Sequence, residues 1–166
     1  MSRERQDLFS RSALAAFRLN GQILSIAEEL AKPAGLTAAR WQVLGAVLGE
    51  PLPVSGIARV MGITRQSVQR IADLLVDKGL AEYLPNPAHR RAKLLSPTDE
   101  GRSAIAGIGP GHAAFADRLA EALGDTELAE TVHVLERLSA VLDELTAPVA
   151  EGAAPVTETA PAVTEP

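Results

Sequence analysis

With 166 residues, 46% of them hydrophobic but only 3% aromatic, the chain suits one ordinary domain plus an appendage and can bury a core without staples. The absence of cysteine excludes a disulfide framework, a cysteine-based metal site, a catalytic thiol and a thiol redox switch. The formal net charge of −5 hides a split, with seven Lys and Arg against three Asp and Glu over residues 59–93 but three against thirteen over residues 94–166. The global sign therefore does not exclude a polyanion partner for the one basic window.

In chain order, the elements read as mainly α. Phe9, Ala13, Phe17, Ile23, Leu24, Ala27, Leu30 and Ala31 recur at helical spacing through a first long segment, which ends near Lys32-Pro33-Ala34-Gly35. Thr37 is placed to cap a second helix with Trp41, Leu44 and Leu48 on one stripe, stopped by Pro51-Leu52-Pro53. A short third helix from Val54 to about Met61 is expected to bury Ile57, Val60 and Met61. Thr64 caps a fourth, which turns Val68, Ile71, Leu75 and Leu74 inward and ends at Gly79.

Two short strands, residues 80–84 and 91–95, then flank the turn-rich stretch 85–90. Thr98-Asp99-Glu100 opens a fifth helix, a cap followed by carboxylates at the positive end of the helix dipole. Gly107-Ile108-Gly109-Pro110-Gly111 should kink or split that helix, as a hinge or, preferably, as a tolerated loop. A last helix begins near Asp125, and its Leu128, Val132, Leu135, Leu138, Leu142 and Leu145 form a seam. The seam pairs most simply with its own copy about a two-fold axis; the alternative is a monomeric bundle. Residues 147–166 contain only Ala, Pro, Val, Thr, Glu and one Gly, and read as a disordered acidic tail, a solvated linker in preference to a partner-binding element.

Segment 54–95 carries the functional signal. Helix, tight turn at Gly62, second helix and hairpin follow in the order of a winged helix-turn-helix. Such a second helix must be apolar inside and offer hydrogen-bonding groups outward near its N-terminus. Thr64, Arg65, Gln66, Ser67, Gln69 and Arg70 supply that outer face. Arg forks onto guanine, Gln pairs with adenine, and Ser and Thr reach phosphates or base edges. His89, Arg90, Arg91 and Lys93 lie at or beside the hairpin tip, from which arginine can enter a narrow minor groove. The bland alternative is a solvated polar helix and a charged turn that resists edge aggregation.

The runs MGITRQSVQRIADLLVDKGL and NPAHRRAKLLSPTDEG resemble the multiple antibiotic resistance regulator (MarR) family. The pattern shared is a recognition helix ending in Leu-x-x-x-Gly-Leu, a wing with paired arginines, and a Leu-Thr-x-x-x-Gly-like strand exit. The resemblance implies a homodimeric transcription regulator of duplex DNA, often a repressor released by a small aromatic or phenolic effector. It assigns the recognition role to Thr64–Arg70 and the wing-tip role to Arg91, with Arg90 and Lys93 in support. Two positions depart from the pattern: His89 replaces the usual Asp before the arginines, and Tyr83 stands where an Arg commonly follows the Gly-Leu. The first suggests a more mobile wing or a changed wing contact.

The domains expected are therefore a dimerisation helix (1–36), a winged helix-turn-helix (37–97, wing about 80–95), C-terminal dimerisation helices (98–146) and the tail. A two-fold dimer with two readers calls for a palindromic operator with half-sites roughly 10–10.5 base pairs, or a multiple, apart. His89, His112 and His133 are far apart, and no HExxH, GxSxG, GxxxxGK[ST] or GxGxxG motif gives them catalytic context, so no enzyme, cofactor or metal site is expected. Trp41 reads as core packing or, with Phe17 and Phe115, as the lining of an effector cleft. No run reaches the roughly 18 apolar residues of a membrane span, and MSRERQDLFS lacks a signal-peptide core. The expectation is a cytoplasmic protein without membrane association. A winged helix used as a protein-interaction module is the alternative function.

Overall fold

The computed structural model describes residues 2–147, so the tail expected over residues 147–166 lies outside them except for Ala147. The chain divides into two compact units, one ending at Arg118 and the next beginning at Leu119. The first unit opens with α1 (Ser2–Ala31), whose end is turned by a 3₁₀ segment, Lys32–Ala34, and by Gly35 at φ +69. α2 (Ala38–Ala46) carries two N-terminal caps. Thr37 Oγ1 accepts from Arg40 N–H, and Glu28 Oε2 of α1 accepts from Ala38 N–H at 2.7 Å, setting a carboxylate on the positive end of the helix.

The reader follows as β1 (Leu52–Pro53), α3 (Val54–Met61), α4 (Arg65–Asp77), β2 (Ala81–Leu84) and β3 (Leu94–Pro97). The sheet is antiparallel in the order β1-β3-β2, with Leu52 opposite Leu95 and Tyr83 opposite Leu95 on the other side. Its core is apolar and continuous: Val43, Leu44 and Val47 meet Ile57, Val68, Ala72, Leu75, Ala81 and Leu95, closed by Ala31, Leu36 and Ile108. Each fully buried Leu, Ile or Val of this set contributes roughly 1.5–3 kcal/mol. α5 (Asp99–Leu123) runs on from the sheet and past the unit boundary. In the second unit α6 (Asp125–Thr146) has no buried residue.

Five expectations need correction. α2 stops at Ala46 and not at Pro51, because Gly49 and the residue before Pro51 disfavour helix and Leu52–Pro53 is drawn into the sheet. Leu48 is consequently off the stripe and 36% exposed. Val60 is 70% exposed, since the buried side of α3 is Ile57 and Ala58, with Met61 half-buried, and Val60 sits about 100° round the helix from their midpoint. Leu74 is displaced in the same way from Val68, Ala72 and Leu75, and is 41% exposed. The second wing strand starts at Leu94 and not at Arg91; Pro85 and Pro87 cannot donate to a ladder, so residues 85–93 leave the pairing and the wing loop is longer.

The fifth correction concerns residues 107–111. α5 is neither split nor looped there and carries Pro110 within one helix. The helix lies against the end of α1 there: a Cβ on Gly107 would stand at ordinary contact distance from Ala34 Cβ (3.9 Å), one on Gly111 from Leu30 Cδ2 (3.4 Å), and Ile108 between them is buried. The tightest approach lies at the start of α5. Thr98 N–H donates to Leu80 O (3.2 Å), Thr98 Oγ1 donates to Gly79 O (2.6 Å) and accepts from Gly101 N–H (3.1 Å). A Cβ on Gly101 would collide with the Leu80 carbonyl oxygen. Gly101→Ala should therefore destabilise the fold by at least about 2 kcal/mol in urea denaturation. Gly109→Ala, with nothing within 4 Å of its Cβ, should be neutral or stabilise by up to about 1 kcal/mol.

Candidate nucleic-acid interface

The turn between α3 and α4 is built by Gly62, whose φ of +64 suits glycine and whose N–H reaches the Ala58 and Arg59 carbonyls. Ile63 N–H then closes back onto Ala58 O at 3.2 Å. Thr64 caps α4: its Oγ1 accepts from Ser67 N–H (3.2 Å) and donates to Ser67 Oγ (2.9 Å). The Thr64 hydroxyl is thus used on the helix itself, and Ser67 stays exposed beside it. Arg65, Gln66, Ser67, Gln69 and Arg70 are all exposed, opposite the buried Val68, Ala72 and Leu75.

Asn86 shapes the wing loop. Its Oδ1 accepts from Ala88 N–H (3.0 Å) and His89 N–H (3.3 Å), and His89 O accepts from Ala92 N–H (3.1 Å). His89, Arg90, Arg91 and Lys93 are exposed on this loop. Helix and wing open on a shared cleft of about 670 Å³, lined by Arg65, Gln66 and Gln69 from α4, by Arg91, Ala92 and Lys93 from the wing, and by Pro53, Val54, Ser55 and Tyr83. Thr64, Ser67, Arg70 and Arg90 are not on its wall. Among the described residues the single ion pair is Arg11–Asp7, at 3.6 Å, so no carboxylate neutralises the cations of α4 or the wing.

Sequence reasoning did not anticipate a three-residue cluster in this cleft. Gln69 Nε2 donates to Asp73 Oδ1 and to Tyr83 Oη, each at 2.8 Å, and Tyr83 Oη donates to the same Asp73 oxygen at 2.7 Å. Lys93 Nζ lies 5.9 Å from the centre of the Tyr83 ring. Burial and then the Asp73 carboxylate push the Tyr83 phenol up to about 12, with Gln69 acting in the opposite direction. The available signals were the spacing of Gln69 and Asp73, four apart on one helix face, and the tyrosine at the departing family position. The three residues proposed for an effector cleft are less gathered. Trp41 is half-buried with His112 edge-on at 5.7 Å, Phe115 is half-buried, and Phe17 is 74% exposed. None of them lines this cleft or the smaller one, of about 350 Å³, bounded by Asn20, Leu24, Gln42, Ala46, Val60, Met61 and Ile63.

A three-stranded sheet whose β2–β3 hairpin forms a wing, set against a capped second helix, defines a winged helix-turn-helix protein. The model of the MarR family matches residues 34–92. The uncharacterized protein Rv2011c of Mycobacterium tuberculosis is 39% identical over 132 residues, covering 80% of this chain and 92% of that protein. The chain belongs to the MarR family. Among solved structures, the transcriptional repressor CouR bound to a 23-mer DNA duplex is similar with a TM-score of 0.67 and 28% identity, over 75% of this chain and 89% of that one. CouR from Rhodococcus jostii RHA1 bound to p-coumaroyl-CoA is similar with a TM-score of 0.62 and 25% identity, over 82% and 92%. No helix among the described residues is long and apolar enough to cross a membrane.

Tyr83 is the only tyrosine, so tyrosinate absorbance reports this cluster alone. Its folded pKa of about 12 exceeds the ordinary 10.0, so its contribution to stability is complete below pH 10 and is lost as pH rises through 12. An absorbance titration should show a midpoint near 12 in the native protein. Asp73→Asn should bring that midpoint only part of the way back to 10.0, because burial, the largest single cause, remains.

Proposed function

We propose that the chain is a homodimeric repressor that binds a palindromic operator in duplex DNA, acts in the cytoplasm, and is released by a small aromatic or phenolic effector. The observation that carries this reading is the cleft where Arg65, Gln66 and Gln69 of α4 face Arg91 and Lys93 of the wing, with no carboxylate paired to any of these cations among the described residues. Unpaired guanidinium groups on a convex helix and a projecting loop match a duplex: α4 in the major groove, the wing in the minor groove beside it. In this reading Arg65, Gln66, Gln69 and Arg70 read or position on base edges. Thr64 and Ser67 set the helix N-terminus against phosphate, and Arg90, Arg91 and Lys93 hold the wing. The repressor CouR, similar over most of both chains, is bound to a DNA duplex in its structure.

Pairing of two chains rests on uncovered apolar surface. On α1, Leu8, Phe9, Leu14 and Phe17 are exposed, and on α6 so are Val132, Leu135, Leu138, Leu142 and Leu145. A second copy that covers them gives the two readers a two-fold relation. Residues 1–36 and 98–146 then serve as the dimerisation elements and 37–97 as the reader. Effector release rests on the family resemblance and on the p-coumaroyl-CoA-bound relative; the proposed site residues are Phe17, Trp41 and Phe115.

Selection from random duplexes at two salt concentrations tests the main reading. The expected result is an enriched palindrome whose affinity falls as salt rises, since each phosphate contact releases counterions. Arg65→Ala should cost about 1–3 kcal/mol and relax preference at one base position; Arg91→Ala should weaken binding to all sequences at minor-groove or phosphate level and lower the salt slope by about 1 for a phosphate contact. If both variants bind as the parent does, the site assignment is wrong. Binding that ignores salt would instead favour a protein-interaction module.

Trp41 is the only tryptophan and so reports the effector site directly. Titration with small phenolic acids should change its fluorescence and release bound operator over the same concentration range. Release without a fluorescence change would move the effector site away from Trp41.

A further inference from the structure

Gln69, Asp73 and Tyr83 join α4 to β2 through three mutual hydrogen bonds. A glutamine that recognises adenine by two points must donate one N–H to adenine N7 while its carbonyl accepts from N6. In this cleft the amide nitrogen of Gln69 already faces two acceptors, Asp73 Oδ1 and Tyr83 Oη, both at 2.8 Å. Those two acceptors are themselves joined at 2.7 Å, so the nitrogen sits over one small polar triangle. The carbonyl oxygen, the other end of the amide, makes no hydrogen bond among the described residues, and Gln69 is exposed on the wall of the cleft.

We propose that Asp73 and Tyr83 are positioning residues that turn Gln69 carbonyl-first toward the major groove. Gln69 thereby becomes an acceptor that recognises an exocyclic base amine, cytosine N4 or adenine N6, in place of a two-point reader of adenine. The proposal rests on the DNA-binding reading and deepens it at one side chain. The chemistry of the partners supports it. A carboxylate holds an amide N–H more firmly than a neutral ring nitrogen does, because a hydrogen bond to a charged group is the stronger one. Tyr83 stays a phenol at neutral pH, its pKa pushed up to about 12 by burial and by Asp73, so it keeps the proton it donates to Asp73. Tyr83 lies on β2 and Asp73 one turn beyond Gln69 on α4, so strand and helix together fix the amide plane.

The test uses the full chain. Duplexes selected by the parent and by Gln69→Ala locate the position where this variant loses base preference. Duplexes carrying adenine, cytosine or 7-deazaadenine at that position are then titrated against the parent, Tyr83→Phe and the double variant Asp73→Ala/Tyr83→Phe. The parent should bind all three within about twofold and discriminate against thymine and guanine by roughly tenfold, the scale of a base contact. The double variant, its amide freed, should prefer adenine over cytosine by about tenfold and lose that preference with 7-deazaadenine. Tyr83→Phe, which keeps the ring under Lys93, should move partway in the same direction and guards against a variant that merely unfolds.

Three results would overturn the proposal. The parent could prefer adenine and weaken on 7-deazaadenine, which means the amide reads with both ends. Gln69→Ala could leave every position unchanged, which means Gln69 reads no base. Both Tyr83→Phe and the double variant could keep the parent's preferences while folded, which means the cluster does not position the amide. Each of these leaves DNA binding intact; if the parent enriches no sequence at all, the DNA-binding reading fails and this inference fails with it.

Discussion

The geometry of the cleft depends on one close contact, the seat of the first turn of α5 on the turn between α4 and β2. Thr98 engages two successive carbonyls, Gly79 through its hydroxyl and Leu80 through its N–H, and the same hydroxyl caps Gly101. The approach is so close that residue 101 has no room for a Cβ. Gly79, at φ +70, makes the turn sharp enough for its carbonyl to be reached. Because Pro97 pairs with Ala81 immediately beside this contact, the contact pins the register of the wing ladder at its base. A slip of β2 by one residue would exchange the two faces of that strand and carry Tyr83 away from α4.

Register in turn determines what the cleft contains. With Tyr83 opposite Leu95, its ring lies at the edge of the core and its hydroxyl reaches Gln69 and Asp73. Beyond Leu84 and Leu94 the ladder ends, and Asn86 replaces it with local hydrogen bonds to Ala88 and His89. The wing cations therefore ride on a loop whose base is tied into the ladder and whose tip is held only by local hydrogen bonds. That division suits a surface that meets DNA, since each exposed, unpaired cation keeps water that a phosphate or base can replace. Pre-formed salt bridges would have to be broken first, and among the described residues the reader contains none.

Much of this was legible in the sequence, and the rest was hidden for physical reasons. The caps at Thr37, Thr64 and Thr98, the turn at Gly62 and the limits of α3 are local chemistry, and local chemistry is readable from neighbours. Val60 and Leu74 were misplaced because apolar character does not specify an angle on a helix; packing partners do. Leu52–Pro53 is too short to show an alternating pattern, and only its pairing with β3 makes it a strand. Gly107–Gly111 looked like a break because Gly and Pro weaken isolated helices. Here the helix is held by packing, with Ile108 buried in the core beside Leu30 and Ala34, a tertiary fact. At the site, the exposed basic and amide side chains of α4 and the wing could be named from order and charge. Asp73 could not, since its role appears only when β2 brings Tyr83 across α4.

The long helices pose a different problem from the reader. α1 runs for 30 residues with Ala31 alone buried, and α6 for 22 residues with none. Helices in water draw most of their stability from packing of an apolar face, and each of these two leaves apolar residues uncovered among the described residues. The last turn of α1 is anchored, with Leu30 and Ala31 packed at the reader core, while Leu8, Phe9 and Phe17 extend away from it uncovered. In the proposed dimer a partner would cover that outer stretch and so stiffen the rod whose inner end is part of the reader. Pairing, folding of the outer half of α1 and the distance between two readers then form a single equilibrium, shifted by protein concentration through mass action. On this account operator spacing is set by the uncovered apolar residues of the helices, far from any side chain that touches a base.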